Sequence, residues 1–305
     1  MGGREAAGLR VCLLSYRSNP HSGGQGVYLD NLSRALKADG HQVEVVSGPP
    51  DPQLSDGVPV HRLKTLDLYD PADPFRMPTF AELSRPINLV EWLGVSTAGF
   101  PEPFTFGLHA YRFLRSRLNR YDVVHDNQSL SYGLWAVSRR VPTVATIHHP
   151  ISVDRDLAVR AVRAPFKKFK QMRWHSFIGM QKRVAACLPK IITVSERARD
   201  DISKNFGIGR DRFAVVPNGI RTDLFHPMPG IPRERGRIIV TNSSDTPLKG
   251  LYHLLQALAA VNGRRRLHLV VVGRPKPGGG IERLIAGLGI SNRVTFTGRI
   301  DHCEY

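Results

Sequence analysis

Ser22-Gly23-Gly24-Gln25-Gly26 stands between an apolar run, "LRVCLLS" (9–15), and a stretch in which Val27, Leu32, Ala35 and Leu36 fall on one helical face. Glycines in that place let an anion approach the backbone, and the start of the following helix offers N–H groups with no intrahelical acceptor. The chemistry is phosphate binding, with an ordinary tight turn as the alternative. A dinucleotide site demands more. From Gly24 the residues run Gly24, Gln25, Gly26, Val27, Tyr28, Leu29, so the third glycine of G-x-G-x-x-G is missing. The next apolar run, "HQVEVVS" (41–47), is followed by Gly48 and carries no terminal acid to hold a ribose. NAD is disfavoured as a ligand.

Four further groups have usable chemistry. Lys249 lies in "SSDTPLKGLYHLL", between a strand and a helix, where its ammonium suits a phosphate or simply water. His148 ends "VATIH", at the strand end where parallel sheets bind ligands; a neutral imidazole there hydrogen-bonds a hydroxyl or a backbone group. His149 is its adjacent competitor. Asp126 and Asn127 end another strand and suit either an acceptor molecule or a loop cap. "DRD" at 154–156 spells the Asp-x-Asp of metal-dependent sugar transfer, yet three letters are a weak signal, and these acids suit the N-terminus of the following helix.

The elements that must position these groups alternate. Strands are expected at 9–15, 41–47, 58–63, 121–127, 142–149, 190–195 and 213–219, with helices after the glycine loop, near 106–119, near 130–138 and over "ERARDDISKNFG". Gly40 supplies a helix stop. Residues 66–105 combine prolines with aromatics and read as an ordered insertion that is not regular sheet. A Pro- and Gly-rich linker follows, then strands at 237–241, 267–273 and 293–298 with helices near 249–261 and 281–288. The fold class is α/β: two Rossmann-like, doubly wound parallel-sheet domains, at 1–218 and 236–305, joined by a linker at 219–235. Three strands make only about half of a doubly wound sheet, so the second domain is expected to be incomplete and the chain cut short at Tyr305.

Bulk properties set limits. The 305 residues are 41% apolar and carry a net charge of +17, a field that attracts anions of any kind. Between 155 and 190 there are ten Lys or Arg and one acid, with Phe166, Phe169, Phe177, Met180, Val184 and Cys187 at three- to four-residue steps and Pro165 near a break. Two readings stand: a helix packed on the core with a solvated basic face, or a basic amphipathic helix on an anionic membrane. No zinc-finger, RNA-binding or helix-turn-helix pattern supports nucleic acid. Cys12, Cys187 and Cys303 lack metal or disulfide spacing and suit a reducing cytoplasm. No signal-peptide core or run of roughly 18 apolar residues is present; the expected location is cytoplasmic, peripheral at the inner membrane face if the lipid reading holds.

The glycine loop, "VATIHH", "IITVSERARDDI", "VVPNGIRTDLFHP" and "PLKGLYHLLQAL", in this order, resemble the family-4 retaining glycosyltransferases of the two-Rossmann-domain (GT-B) type. The resemblance covers nearly the whole chain. It implies an acceptor held by the N-terminal domain, a nucleotide-sugar donor held by the C-terminal one, and reaction in the cleft between them. His148 is implied as the catalytic histidine. Gly23, Gly24 and Lys249 are implied as contacts to the donor's diphosphate. The family's second cation falls at Ser243, a neutral residue here, which leaves hydrogen bonding in place of charge. His21, Asp126, Asn127 and Asn218 are expected on the acceptor side or in the cleft. Neither a metal nor a cofactor is implied, the nucleotide sugar being a co-substrate, and no paired carboxylates of the glycosidase kind are assigned. The family's glutamate pair, seven residues apart, is expected beyond Tyr305, which leaves the activity of the 305 residues open. The alternative is a non-catalytic, basic Rossmann-like module on an anionic membrane or nucleic acid.

Overall fold

Apolar runs bounded by turn residues become parallel strands. The structure, a computed structural model, describes residues 8–18, 24–54, 57–70, 72–73, 75–241, 250–261, 266–298 and 300. By contacts the chain divides into two units, Met1–Ile220 and Arg221–Tyr305.

The first unit runs β1 (Arg10–Ser15), α1 (Gly24–Ala38), β2 (Gln42–Ser47), β3 (Val60–Arg62), α2 (Phe80–Leu83), α3 (Pro86–Ser96), α4 (Glu102–Leu114), β4 (Val123–Asn127) and α5 (Tyr132–Ser138). It continues with β5 (Thr143–Ile147), α6 (Ile151–Ala161), α7 (Pro165–Trp174), α8 (Ile178–Cys187), β6 (Lys190–Thr193), α9 (Glu196–Phe206) and β7 (Phe213–Val215). All seven strands are parallel, in the order β3-β2-β1-β4-β5-β6-β7. The order reverses between β1 and β4, which opens a crevice at the edge where these strands end. Both faces are covered. Val11 and Leu13 of β1 pack with Leu29 of α1, while Cys12 and Leu14 join the larger cluster with Phe106, Leu114, Val124 and Leu134. That two-sided burial is why the strands read as continuous apolar runs rather than alternating ones.

Two expectations are corrected. The 66–105 insertion is indeed not sheet, but it contains α2, α3 and the start of α4. Pro86 and Pro103 sit at the first positions of α3 and α4, where no N–H is needed, so these prolines begin helices rather than break them. The helix expected near 106–119 therefore spans 102–114. Residues 155–188 are helical with the expected break ahead of Pro165, running through α6, α7 and α8, but α7 has no buried residue: Phe166 is 76% exposed and Phe169 65%. They are not core positions.

One close approach fixes the ligand-facing edge. A Cβ on Gly133 would lie 1.8 Å from the Gly107 carbonyl oxygen, and one on Gly107 would strike Ser131. Helices α4 and α5 thus touch backbone to backbone, and only glycine permits it. Ser131 caps α5, its Oγ accepting from Leu134 N at 3.2 Å.

The second unit runs β8 (Arg237–Thr241), α10 (Leu251–Ala260), β9 (His268–Val272), α11 (Gly280–Gly287) and β10 (Val294–Gly298). Its three strands are parallel in the order β10-β9-β8. Leu251, Leu255 and Leu258 of α10 and Ile281 and Ile285 of α11 bury Leu269 and Val271.

Candidate active site

At the edge where β1, β4 and β5 end, β4 finishes in a polar run, His125 to Ser129, that is buried throughout. Side chains alternate along a strand. His125 and Asn127 share one face; Asp126 takes the other.

His148, directly after β5, has its Nε2 2.9 Å from Asn127 Oδ1. Asn127 Nδ2 donates to the carbonyl oxygen of Gln25, in the first turn of α1, at 3.4 Å. With the amide so oriented, the network assigns the proton to His148 Nε2 and leaves Nδ1 an acceptor. The Tyr28 ring and the imidazole meet in a T-shaped pair, ring centres 4.7 Å apart and planes at 86°. The Tyr28 hydroxyl lies 2.9 Å from Thr146 Oγ1, which is also 2.7 Å from His125 Nε2. Burial first, and His149 second, hold the His148 imidazolium down at about 4. His125 is held at about 4 by burial and then by His148. Both rings are neutral at pH 7.

The loop after β4 supports this arrangement. Gln128 and Leu130 adopt left-handed backbone, φ 60° and 46°, a conformation that costs of order 1–3 kcal/mol per non-glycine residue. Three contacts hold it. Leu130 N donates to Asp126 Oδ2 at 2.8 Å, Ser129 Oγ donates to Asp126 Oδ1, and Gln181 of α8 donates to the Gln128 carbonyl at 3.0 Å. Gln128 in turn accepts from His148 N at 2.8 Å and donates to the His149 carbonyl at 3.1 Å. Of the two expectations for Asp126, the geometry carries the loop cap. Its side chain is fully buried, and burial raises its carboxyl to about 6.

The other sequence-picked residues separate. Gly24 begins α1 with nothing within 4 Å of where a Cβ would stand, so that side of its backbone is open, and the first turn of α1 contains no acid. His21, Gly23, Ser243 and Lys249 lie outside the described residues. Asn218 is exposed three residues beyond β7, a strand two places from β5, and takes no part in the network. His149 turns outward to Asp154 at 2.9 Å, and Asp156 meets Arg155 at 2.8 Å. Asp154 stands in the first turn of α6, the helix start that its sequence position suggested, and Asp156 follows further along the same helix. Among the described residues no group of three His, Cys, Asp or Glu side chains is placed to hold a metal ion.

Sequence reasoning passed over Tyr28, Thr146, His125 and Gln128. A usable signal existed for one of them, since the period of two along "VVHDN" pairs His125 with Asn127. Tyr28 reaches Thr146 across 118 residues of chain, which no local pattern reveals.

This geometry can be set beside known proteins. Residues 22–224 match the description Glycosyltransferase Family 4. An MMP alpha-(1->4)-mannosyltransferase of Mycolicibacterium hassiacum is 47% identical over 288 residues, covering 94% of this chain and 69% of that protein. A D-inositol 3-phosphate glycosyltransferase of Xylanimonas cellulosilytica is 29% identical, with the same coverage of each. Among solved structures, sucrose-phosphate synthase of Thermosynechococcus elongatus shares the fold at TM-score 0.63 and 18% identity, covering 97% of this chain and 72% of that one. Anabaena HepE, in complex with UDP and glucose, shares it at 0.56 and 17%, covering 96% and 70%.

Proposed function

Because the chain belongs to glycosyltransferase family 4, with the GT-B fold, and is a glycosyltransferase, we propose that it transfers an α-mannosyl group from a nucleotide-diphosphate donor to an acceptor hydroxyl, with retention and without a metal ion. The observation that carries the mannosyl reading is the 47% identity, along 94% of the chain, to a protein named as an α-(1→4)-mannosyltransferase. The reading keeps the cytoplasmic setting expected from three scattered cysteines.

In the reaction the bond from the sugar's anomeric carbon to the diphosphate breaks and a bond to the acceptor oxygen forms. The acceptor's proton passes to the departing phosphate oxygen on the same face of the sugar. No carboxylate nucleophile is needed, and Asp126, at the neighbouring strand end, is occupied in capping its loop. His148 Nδ1 accepts a hydrogen bond from a sugar hydroxyl, and Asn127, by fixing Nε2–H, is the positioning residue for that acceptor. Backbone N–H groups at Gly23 and Gly24 are assigned to phosphate, as the unpaired donors of a helix start suit an anion. In the second unit Lys249 and Ser243 are assigned to the donor diphosphate, where a preplaced cation stabilises charge growing on the leaving group.

The test is transfer from nucleotide-mannose donors of different bases to mannosides, with the product's anomeric configuration read by NMR. An α-linked product, formed equally with a chelator present, is expected. Transfer only of other sugars, a β-linked product, or loss on chelation overturns the corresponding part of the reading.

A further inference from the structure

Helix α7 leaves its apolar side in water. From Leu157 to Ser195 there is no acidic residue, against nine Lys or Arg. Within α7, Phe166, Phe169 and Met172 recur every three residues on one stripe and are 76%, 65% and 59% exposed. The packing side lies elsewhere: Trp174 stacks on Phe100 at 5.0 Å and meets Tyr69 edge-on at 5.6 Å. At 3.6 residues per turn Trp174 stands roughly 150° around the helix from Phe169 and Met172. Phe169 and Met172 therefore point away from the Trp174 contact, and Lys168 and Lys170 flank the stripe on either side, while Lys167 falls on the Trp174 side of the helix.

The same helix borders an open apolar groove of about 590 Å³, within the ~300–1,000 Å³ of ligand-sized clefts. Leu93, Phe100, Phe104, Phe177 and Met180 line it, and Arg173 stands at its edge. Arg173 Nη2 donates to Thr97 Oγ1 at 2.9 Å and Nη1 to Ser176 Oγ at 3.0 Å, both neutral partners. No carboxylate pairs with this guanidinium among the described residues. Val90 and Leu93, on the groove wall, are themselves 44% and 49% exposed.

We propose that α7 and the mouth of this groove form a docking face for an anionic membrane leaflet. The Phe166, Phe169 and Met172 stripe enters the acyl region, the flanking Lys168 and Lys170 meet headgroups, Arg173 draws one phosphate to the groove edge, and the groove takes an acyl chain. A nucleic acid would use the cations but not an outward stripe of phenylalanine and methionine. A bilayer uses both, because interfacial binding adds apolar burial to attraction for anionic headgroups. No helix among the described residues is long and apolar enough to cross a membrane, so contact is at the surface. The inference goes beyond the transferase reading and does not depend on it.

The experiment is co-sedimentation of the full chain with vesicles of phosphatidylcholine alone or with 30% phosphatidylglycerol, at low and high salt. Binding to the anionic vesicles only, weakened by salt, is expected. Phe166→Ser/Phe169→Ser should lower partitioning by about tenfold or more, as expected from losing two buried aromatics, and Leu93→Glu should lower it as well, all at an unchanged melting temperature. Equal binding to neutral vesicles, no binding by the unmodified chain, or binding that heparin abolishes and both phenylalanine changes leave intact overturns the proposal. Sugar transfer to a water-soluble acceptor, measured on the same variants, should not change, which separates failure here from failure of the enzymatic reading.

Discussion

Two sets of buried polar side chains in the first unit are treated in opposite ways. Around His148 each polar side chain of the network, His125, Asn127, Gln128, Tyr28 and Thr146, meets a hydrogen-bond partner, and the histidines are neutral. On α3 and α4, Glu91 and Glu102 are 1% and 6% exposed, yet neither has a carboxylate oxygen in good hydrogen-bond geometry. Arg17 Nε comes within 3.4 Å of Glu102. Burial raises Glu91 to about 7, against the pull of the neighbouring Thr105 hydroxyl and Arg76, with Asp67 adding to the push; burial raises Glu102 to about 8, against Arg17, with Glu91 and Asp67 adding to the push. A satisfied network stays rigid and neutral over a wide pH range, whereas an unsatisfied acid stays neutral only by keeping its proton.

The strongest way to break that contrast is at His148. His148→Ala should lower the transfer rate by about 10²–10³, the size seen when one preorganised group is removed from an active site, with a melting temperature close to the unmodified chain. If transfer changes less than threefold, the network is structural like the acids. Asn127→Asp is the subtler probe, since it sets a carboxylate against Nε2–H. The imidazolium should then rise from about 4, and the acid limb of the rate against pH should move upward by about a unit or more. A purely structural Asn127 would change rate without moving that limb.

Glu91→Gln sharpens the other side. The sign follows from proton binding. A carboxyl raised to about 7 holds its proton in the folded chain while the unfolded chain loses it above the ordinary glutamate value, so stability falls as pH rises through 5 to 7. For Glu102 the same fall extends to about 8. His125 and His148, lowered to about 4, act oppositely and remove stability as pH falls from the ordinary histidine value toward 4. Urea unfolding should find Glu91→Gln more stable by about 2 kcal/mol at pH 8.5 and near neutral in effect at pH 5. Equal effects at both pH values would mean that Glu91 does not carry a proton into the fold.

These contrasts also explain what the sequence disclosed. The parallel strands were legible because burial on both faces writes continuous runs such as "VVVG" and "VATI". Helix α3 was not, because a proline that starts a helix looks locally like one that ends it, and α2 is a single turn of four residues, too short to show a period. His148 and Asn127 were visible as polar residues at strand ends. The inward turn of Asp126 depended on strand alternation plus a left-handed loop at Gln128 and Leu130, which no residue type announces. Glu91 and Glu102 drew no notice in the sequence, since burial of a helix face by an irregular insertion leaves no periodic trace. The exposed stripe on α7 has the same root: its spacing fits a core helix, and only tertiary structure shows that nothing packs on it.

Tyr28→Phe should have the smallest effect and bears most directly on how the network works. It removes the hydroxyl at 2.9 Å from Thr146 and leaves the ring in its T-shaped contact with His148, centres 4.7 Å apart. Thr146 Oγ1 retains His125 as a partner at 2.7 Å, so no buried atom there is orphaned. A loss of about 1 kcal/mol in stability is expected, the net worth of one hydrogen bond, with transfer reduced less than about threefold. Tyr28→Ala removes the ring too and should reduce transfer further, because His148 then loses the surface that fixes its plane. If the phenylalanine variant instead falls as far as His148→Ala, the hydroxyl chain from Tyr28 through Thr146 to His125 is coupled to His148 as a unit, and the contrast with the acids lies in that cooperation rather than in hydrogen-bond satisfaction alone.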